Sequence, residues 1–310
     1  MFKKTALAMA AIFGFVAAPL SAQEATQTNT VSIQSEQQNI YNKSAQQLIK
    51  GATKEALKNL RQEELAKIIK EAAEVVQLTR QALLLLAQNQ VEKALSVLQK
   101  AETLMAKLLK EYQVKRVPVD VAIIEFNGVT DLKVAQKLNK QVKELVSKND
   151  FVDARFILAL LRDEIDITTT YMPLAAYAEA IKFAKQLLQA NKVQAAILVL
   201  QSALNTLEVE TVIVPKPILE AQMLVSYAKQ LFRVKPDIAT KLLERAKYDI
   251  ELAKALGYVS SEKDIEPLIE EINALEEAIK NGAATTEEQF NQLQQNIQKF
   301  KENNIKVQTQ

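Results

Sequence analysis

Three asparagines, Asn89, Asn149 and Asn191, each sit between two runs of apolar residues at three- and four-residue spacing. No other feature constrains the fold as much. Before Asn191 the first run puts Ala180, Phe183, Ala184, Leu187 and Leu188 on one helix face; after it, Val193, Ala196, Ile197, Val199, Leu200, Ala203, Leu204 and Leu207 do the same. Asparagine tolerates the left-handed backbone that ends a helix, so each of the three reads as the hinge of a helical pair. Without a gap, Ala82, Leu85, Leu86, Asn89, Val91, Ala94, Val97, Leu98 and Ala101 match the Asn191 copy. A third copy runs Val142, Leu145, Val146, Asn149, Phe151, Ala154, Ile157 and Leu158, with Asp150 placed to cap its second arm. A degraded fourth uses Leu231, Phe232, Ala239, Leu242, Leu243 and Ala246, with Pro236 near the turn. Ala94, Ala154 and Ala196 recur where two helices would cross, and a small side chain there lets backbones approach. Each pair carries apolar residues on more faces than it can bury alone, so pairs must stack.

The expected fold class is therefore all-α: stacked antiparallel helical hairpins, as a repeat-like array or a bundle. Helices are expected near 34–60, 63–88, 91–112, 131–148, 151–167, 173–190, 193–208, 217–233, 237–255, 264–280 and 286–303. Five glycines in the whole chain agree with long helices joined by short turns. Two β-branched, proline-containing segments interrupt the pattern, Val117–Ile124 and Glu210–Pro215, each after the second arm of a repeat. They read as a short two-stranded β patch at most, or as two proline-stiffened loops. At the C-terminus Ile265, Leu268, Ile269, Ile272, Leu275 and Ile279, then Phe290, Leu293, Ile297 and Phe300, form a helical hairpin. Gly282 suits its turn, and Thr285 with Glu288 makes a capping box. This hairpin either docks on the main body or serves self-association.

At the start, Lys3 and Lys4, the apolar run Thr5–Ala18 and Leu20-Ser21-Ala22 have the layout of a secretory signal cut after Ala22. The run is too short to span a bilayer, so no membrane span is expected after its removal. The organisation read from this is a signal peptide over 1–22, a flexible leader over 23–33, a helical domain over 34–255, a C-terminal hairpin over 256–304 and a tail over 305–310, with a periplasmic or otherwise exported destination. Without Lys3 and Lys4, 37 basic residues face 37 acidic ones. A near-neutral chain argues against nucleic acid or an anionic membrane as partner. With no cysteine, the chain is indifferent to an oxidising compartment. With no histidine, no side chain of ordinary pKa changes charge between pH 5 and 8.

The chemistry is sparse. Lacking histidine and cysteine, the chain has no ligands for the usual zinc, copper or haem sites, and no metal or other cofactor is expected. Asp163, Glu164 and Asp166, ahead of Thr168-Thr169-Thr170, are the densest acidic group, but they lack the glycine and spacing of a calcium loop and read as a solvated helix end. Ser44 and Ser147 read as surface residues rather than nucleophiles, and no phosphate-cradling glycine motif occurs. The lysine-rich runs Lys107–Arg116 and Lys133–Lys148 read as solvated faces. One group points to binding: Tyr171, Met172, Pro173 and Tyr177 could line a ligand or partner groove at a joint between repeats, although rings at a helix start more often close a core.

Tyr171-Met172-Pro173-Leu174, Ala180–Ala184, Ala195-Ala196, Ala203–Leu207 and Val214-Pro215, with Val117-Pro118-Val119 before them, occur in an order that resembles the YfdX family. The resemblance covers roughly residues 35–250, most specifically Tyr171–Glu220. It implies an exported, mostly helical bacterial protein, linked in some members to acid or other stress responses, with no established catalytic residues. The hairpin after about residue 256 looks like an addition to that pattern. The expected function is an exported, non-enzymatic binding or scaffold protein supporting envelope stress tolerance. Its partners would be other proteins or small apolar ligands, and a homo-oligomer is compatible with it. The alternatives are a hydrolase built on paired carboxylates and a small-molecule carrier with a cavity between helices.

Overall fold

A computed structural model describes residues 40–283 and 286–309. The signal and leader expected before residue 34, and Thr285 of the expected capping box, lie outside the described residues. The chain divides between Lys43 and Ser44, and of the first unit only residues 40–43 are described.

The second unit opens with α1 (Ala45–Ala66), where Ser44 and Gln47 form a reciprocal capping box. Three helix–helix–strand units come after it. The first is α2 (Lys70–Ala87), α3 (Val91–Glu111) and β1 (Arg116–Glu125). The second is α4 (Leu132–Ser147), α5 (Phe151–Leu160) and β2 (Glu164–Pro173). The third is α6 (Leu174–Gln189), α7 (Val193–Asn205) and β3 (Glu208–Pro215). Then come α8 (Lys216–Leu231), α9 (Pro236–Ala255), a 3-10 turn at Glu262–Asp264, α10 (Glu266–Asn281), α11 (Thr286–Asn304) and β4 (Lys306–Thr309).

The three asparagine hinges share one geometry. Asn89, Asn149 and Asn191 have φ of 58°, 60° and 55°, and are the non-glycine residues with positive φ among those described. Each ends its helix with the same two hydrogen bonds. Gln90 N, Asp150 N and Lys192 N donate to Leu85 O, Leu145 O and Leu187 O at 2.9, 2.9 and 2.8 Å. The asparagine N–H groups donate to Leu86 O, Val146 O and Leu188 O, each at 3.0 Å. Asp150 caps α5 by accepting from Asp153 N. Ala94, Ala154, Ala196 and Ala239 are all buried, as close helix crossings require.

The β structure exceeds what the sequence suggests. Instead of at most a two-stranded patch, β1, β2, β3 and β4 form a four-stranded antiparallel sheet in that order. The expected helix over 151–167 stops at Leu160, and the acidic and threonine-rich stretch after it is the inner strand β2. Its buried residues alternate, with Ile165, Ile167 and Thr169 on one face. Pro118 lies on the edge strand β1, where the register shifts and no ladder donor is needed. Pro173 and Pro215 end β2 and β3 and stand at the N-caps of α6 and α8.

The apolar core of the described residues includes three distinct clusters. The first joins α2, α3, α6 and α7, the two hinge pairs around Asn89 and Asn191. The second lies between α1, α8 and one sheet face, and the third packs α4 and α5 against α9. The Asn149 pair thus leaves the core shared by the other two. On α5 only Ala154 is buried, while Phe151, Val152 and Phe156 are 56, 67 and 71% exposed. The C-terminal hairpin docks: α10 packs on α9, and α11 on α8, with Phe290 buried against Phe232.

Candidate functional site

The sheet face that carries Ile167, Thr169 and Tyr171 is roofed by α1 and α11, and the roof leaves a cavity of about 310 Å³. Its floor is Pro118, Ile167, Val212 and Val214; Leu60 comes from α1 and Ile305 from the end of α11. An adjoining space of about 320 Å³ continues between α1, α8 and α11, and Leu60, Glu63, Gln298 and Lys301 line both. Above the apolar floor the roof helices contribute Glu63, Glu64, Lys67, Gln298, Lys301 and Glu302, so the lining is amphipathic. A larger groove of about 810 Å³ runs between α4, α9 and α10. Its rim carries exposed Lys140, Lys143, Glu266 and Glu270, and a 2.9 Å Lys254–Glu262 pair joins two of its walls. Both sites have charged rims, but the sheet cavity alone has a continuous apolar floor, Pro118, Ile167, Val212 and Val214, and is taken as the candidate ligand site.

Of the four residues singled out in the sequence, only Tyr171 reaches this cavity. The Arg116 guanidinium stacks 4.2 Å from the centre of its ring and is anchored by Glu208 and Glu210 at 2.8 and 2.7 Å. Met172 and Tyr177 have no exposed surface and belong to the four-helix core, and Pro173 is the N-cap of α6. Burial pushes the Tyr177 hydroxyl above the ordinary tyrosine range. The residues the sequence reading missed are Lys301, Gln222 and Gln298. Lys301 Nζ donates to Gln222 Oε1 at 3.1 Å, Gln222 Nε2 to Gln298 Oε1 at 2.7 Å, and Gln298 Nε2 to Glu302 Oε1 at 2.6 Å. Only the rhythm of α11 could have signalled Gln298 and Lys301, and that of α8 Gln222, and neither says which strands lie beneath.

The acidic cluster is not a solvated helix end. Asp163 and Glu164 are 2 and 6% exposed and tied into ion pairs. Lys216 Nζ lies 3.1 Å from Asp163 and 3.0 Å from Glu125, and donates to Asn127 Oδ1 at 2.7 Å. Arg162 pairs with Glu164 and Asp166 and stacks on Phe126. The Tyr258 hydroxyl accepts from Asp163 N and donates to Glu164 Oε2, both at 2.9 Å. Gly128 is forced by this packing, since a Cβ there would lie 2.7 Å from the Arg162 carbonyl. Further in, Asp249 on α9 is fully buried, with Arg245 Nη2 2.8 Å away, and Glu220 accepts from Thr53 Oγ1. Asp163, Glu220 and Asp249 line none of the three cavities above. They hold helices and strands together, while Glu164 and Asp166 border a separate pocket of about 650 Å³ with Arg162 and Tyr258. Among the described residues no group of acidic side chains could hold a metal ion, and no helix is long and apolar enough to cross a membrane.

No curated protein matches the chain. Among solved structures, the YfdX protein of Salmonella Typhi is similar at 16% identity, covering 46% of this chain and 90% of that one, with a TM-score of 0.33. The family model described as "YfdX protein" matches residues 75–213, from within α2 into β3. That segment holds the three asparagine hinges and most of the cavity floor, but neither α1 nor α11, the helices that roof it. Over residues 75–213, a little under half of its length, the chain is similar to the YfdX family.

Proposed function

We propose that this chain is an exported, non-enzymatic binding protein that holds a small apolar or amphipathic ligand in the cavity between α1, α11 and the sheet. We propose further that this supports tolerance of envelope stress, acid included. The observation that carries the binding reading is the apolar floor of Ile167, Val212 and Val214 beneath a roof whose helices bring Glu63, Glu64, Lys67, Lys301 and Glu302 to its rim, an amphipathic lining. Export rests on the charged start, apolar run and small-residue cleavage site of residues 1–22. A panel of apolar and amphipathic compounds should contain members that raise the melting temperature, since a ligand that binds only the folded state stabilises it. Val212→Phe, which fills the floor, should abolish those rises while leaving the unliganded protein folded. A flat panel, or rises that survive Val212→Phe, would count against the cavity.

A second reading, capture of unfolding client proteins, draws on α5. Phe151, Val152 and Phe156 stand exposed on a helix with one buried residue, and clustered exposed apolar side chains mark contact surfaces. The wild type should suppress aggregation of an acid-unfolded test protein between pH 3 and 7, and Phe151→Asp/Phe156→Asp should lose most of that effect. Equal activity of the two proteins would remove α5 from consideration.

A further inference from the structure

Lys216 and Lys301 are both drawn in from solvent, and they differ in one respect. An ammonium has three donors. Lys216 meets three acceptors, Asn127, Glu125 and Asp163, within 3.1 Å. Lys301 has one, Gln222 Oε1 at 3.1 Å, and no carboxylate within 4.0 Å among the described residues. The nearby amides cannot make up the difference, because Gln222 and Gln298 are committed to each other and to Glu302. Lys301 borders both parts of the cleft, which is where its remaining donors have room to act. Burial, aided by Lys67, lowers its pKa from the ordinary lysine value against the opposing pull of Glu63 and Glu302. This is an ammonium short of acceptors at the edge of an apolar floor.

We propose that Lys301 anchors the single carboxylate of an amphiphile whose alkyl chain lies on Ile167, Val212 and Val214. The inference rests on the cavity reading above and names its ligand class. A carboxylate supplies the acceptors Lys301 lacks, and charge-assisted hydrogen bonds are the strong ones. Glu63, Glu64 and Glu302 also line the cavity, and their repulsion weighs more heavily on a multiply charged headgroup such as a phosphate than on a single carboxylate. At about 30 Å³ per water-sized unit, the 310 Å³ over the sheet suits a chain of about ten carbons.

Titration calorimetry with decanoate, decanol and decylamine, on the wild type and on Lys301→Met and Lys301→Arg, tests this. Decanoate should bind the wild type best, lose at least about tenfold in Lys301→Met and recover most of that in Lys301→Arg. Decanol should bind wild type and Lys301→Met alike, which also shows that the variant is folded. Decanoate binding Lys301→Met as well as wild type, or decylamine matching decanoate, would overturn the assignment. If decanol binds and decanoate gains nothing over it, the lysine assignment falls and the cavity reading stands. If none of the three binds, both fall.

Discussion

Lys216→Met is expected to cost about 3–5 kcal/mol of unfolding free energy, because it leaves carboxylates buried without their counter-ion. The Lys216 side chain is 7% exposed and that of Asp163 is 3% exposed. Burial alone would lower the Lys216 pKa, but Asp163 and Glu125 outweigh it and the shift is upward. A raised lysine pKa stabilises the fold at pH values below the unfolded pKa of 10.5, and that contribution is lost as pH rises through the folded value. The gap between wild type and Lys216→Met should therefore be constant through neutral pH and narrow in strong alkali, and also in acid where the stranded carboxylates take up protons. Urea unfolding at pH 7 measures it. Lys216→Met/Asp163→Asn should recover part of the loss, since it removes one stranded charge. A cost below about 1 kcal/mol, the range of exposed pairs, would show that water reaches this cluster in solution.

Asp249→Asn should act in the opposite direction and remove a slope in stability against pH. Asp249 has no exposed surface, and its pKa is pushed up from 3.8 to about 7. Burial is the main cause, Glu220 and Asp163 add to it, and Arg245 opposes it. Neither carboxylate oxygen accepts a hydrogen bond, although Arg245 Nη2 is 2.8 Å from Oδ1. Between pH 4 and 7 the folded chain keeps a proton that the unfolded chain has released. Stability therefore falls as pH rises through that window, by at most about 4 kcal/mol. Asparagine needs no such proton. Near pH 4 the variant should match the wild type, and at pH 8 it should exceed it by roughly 1–3 kcal/mol after the lost Arg245 attraction is deducted. Urea midpoints from pH 4 to 8 decide the matter, and an unchanged slope in Asp249→Asn would refute the assignment. A chain without histidine thus has a group that titrates near neutrality, which ordinary pKa values exclude.

The local grammar of the chain was readable from its residues. An asparagine in the left-handed conformation and the two hydrogen bonds around it involve residues at most five apart, from Leu85 to Gln90. The same holds for the helix rhythm and for Asp150 as a cap. β2 was harder to see. Only Ile165 and Ile167 alternate clearly in Glu164–Pro173, between acids and ahead of three threonines, and they follow the apolar run of α5 directly. The regular place of strands after second arms was a signal for it. Its partners, however, lie about 45 residues away on either side, as in Thr168 with Ala122 and with Thr211.

The three hinge pairs look alike in sequence and end in different surroundings. Ala82, Leu86, Leu98, Ala184, Leu188 and Leu200 share one core, while Val146 and Leu158, at the positions of Leu86 and Leu98 in the middle pair, stay exposed. Likewise, Lys301, four residues after Ile297, flanks the apolar stripe of its helix while Lys299 points away, but that phase does not say which strands lie beneath it. Helices, hinges and caps were determined by the sequence because their interactions close within a turn or two of the chain. Strand order, the choice of helix faces buried together and the cleft with its underbonded ammonium were decided only by tertiary packing. Those depend on which distant surfaces meet, and a periodic pattern specifies a face without specifying its partner.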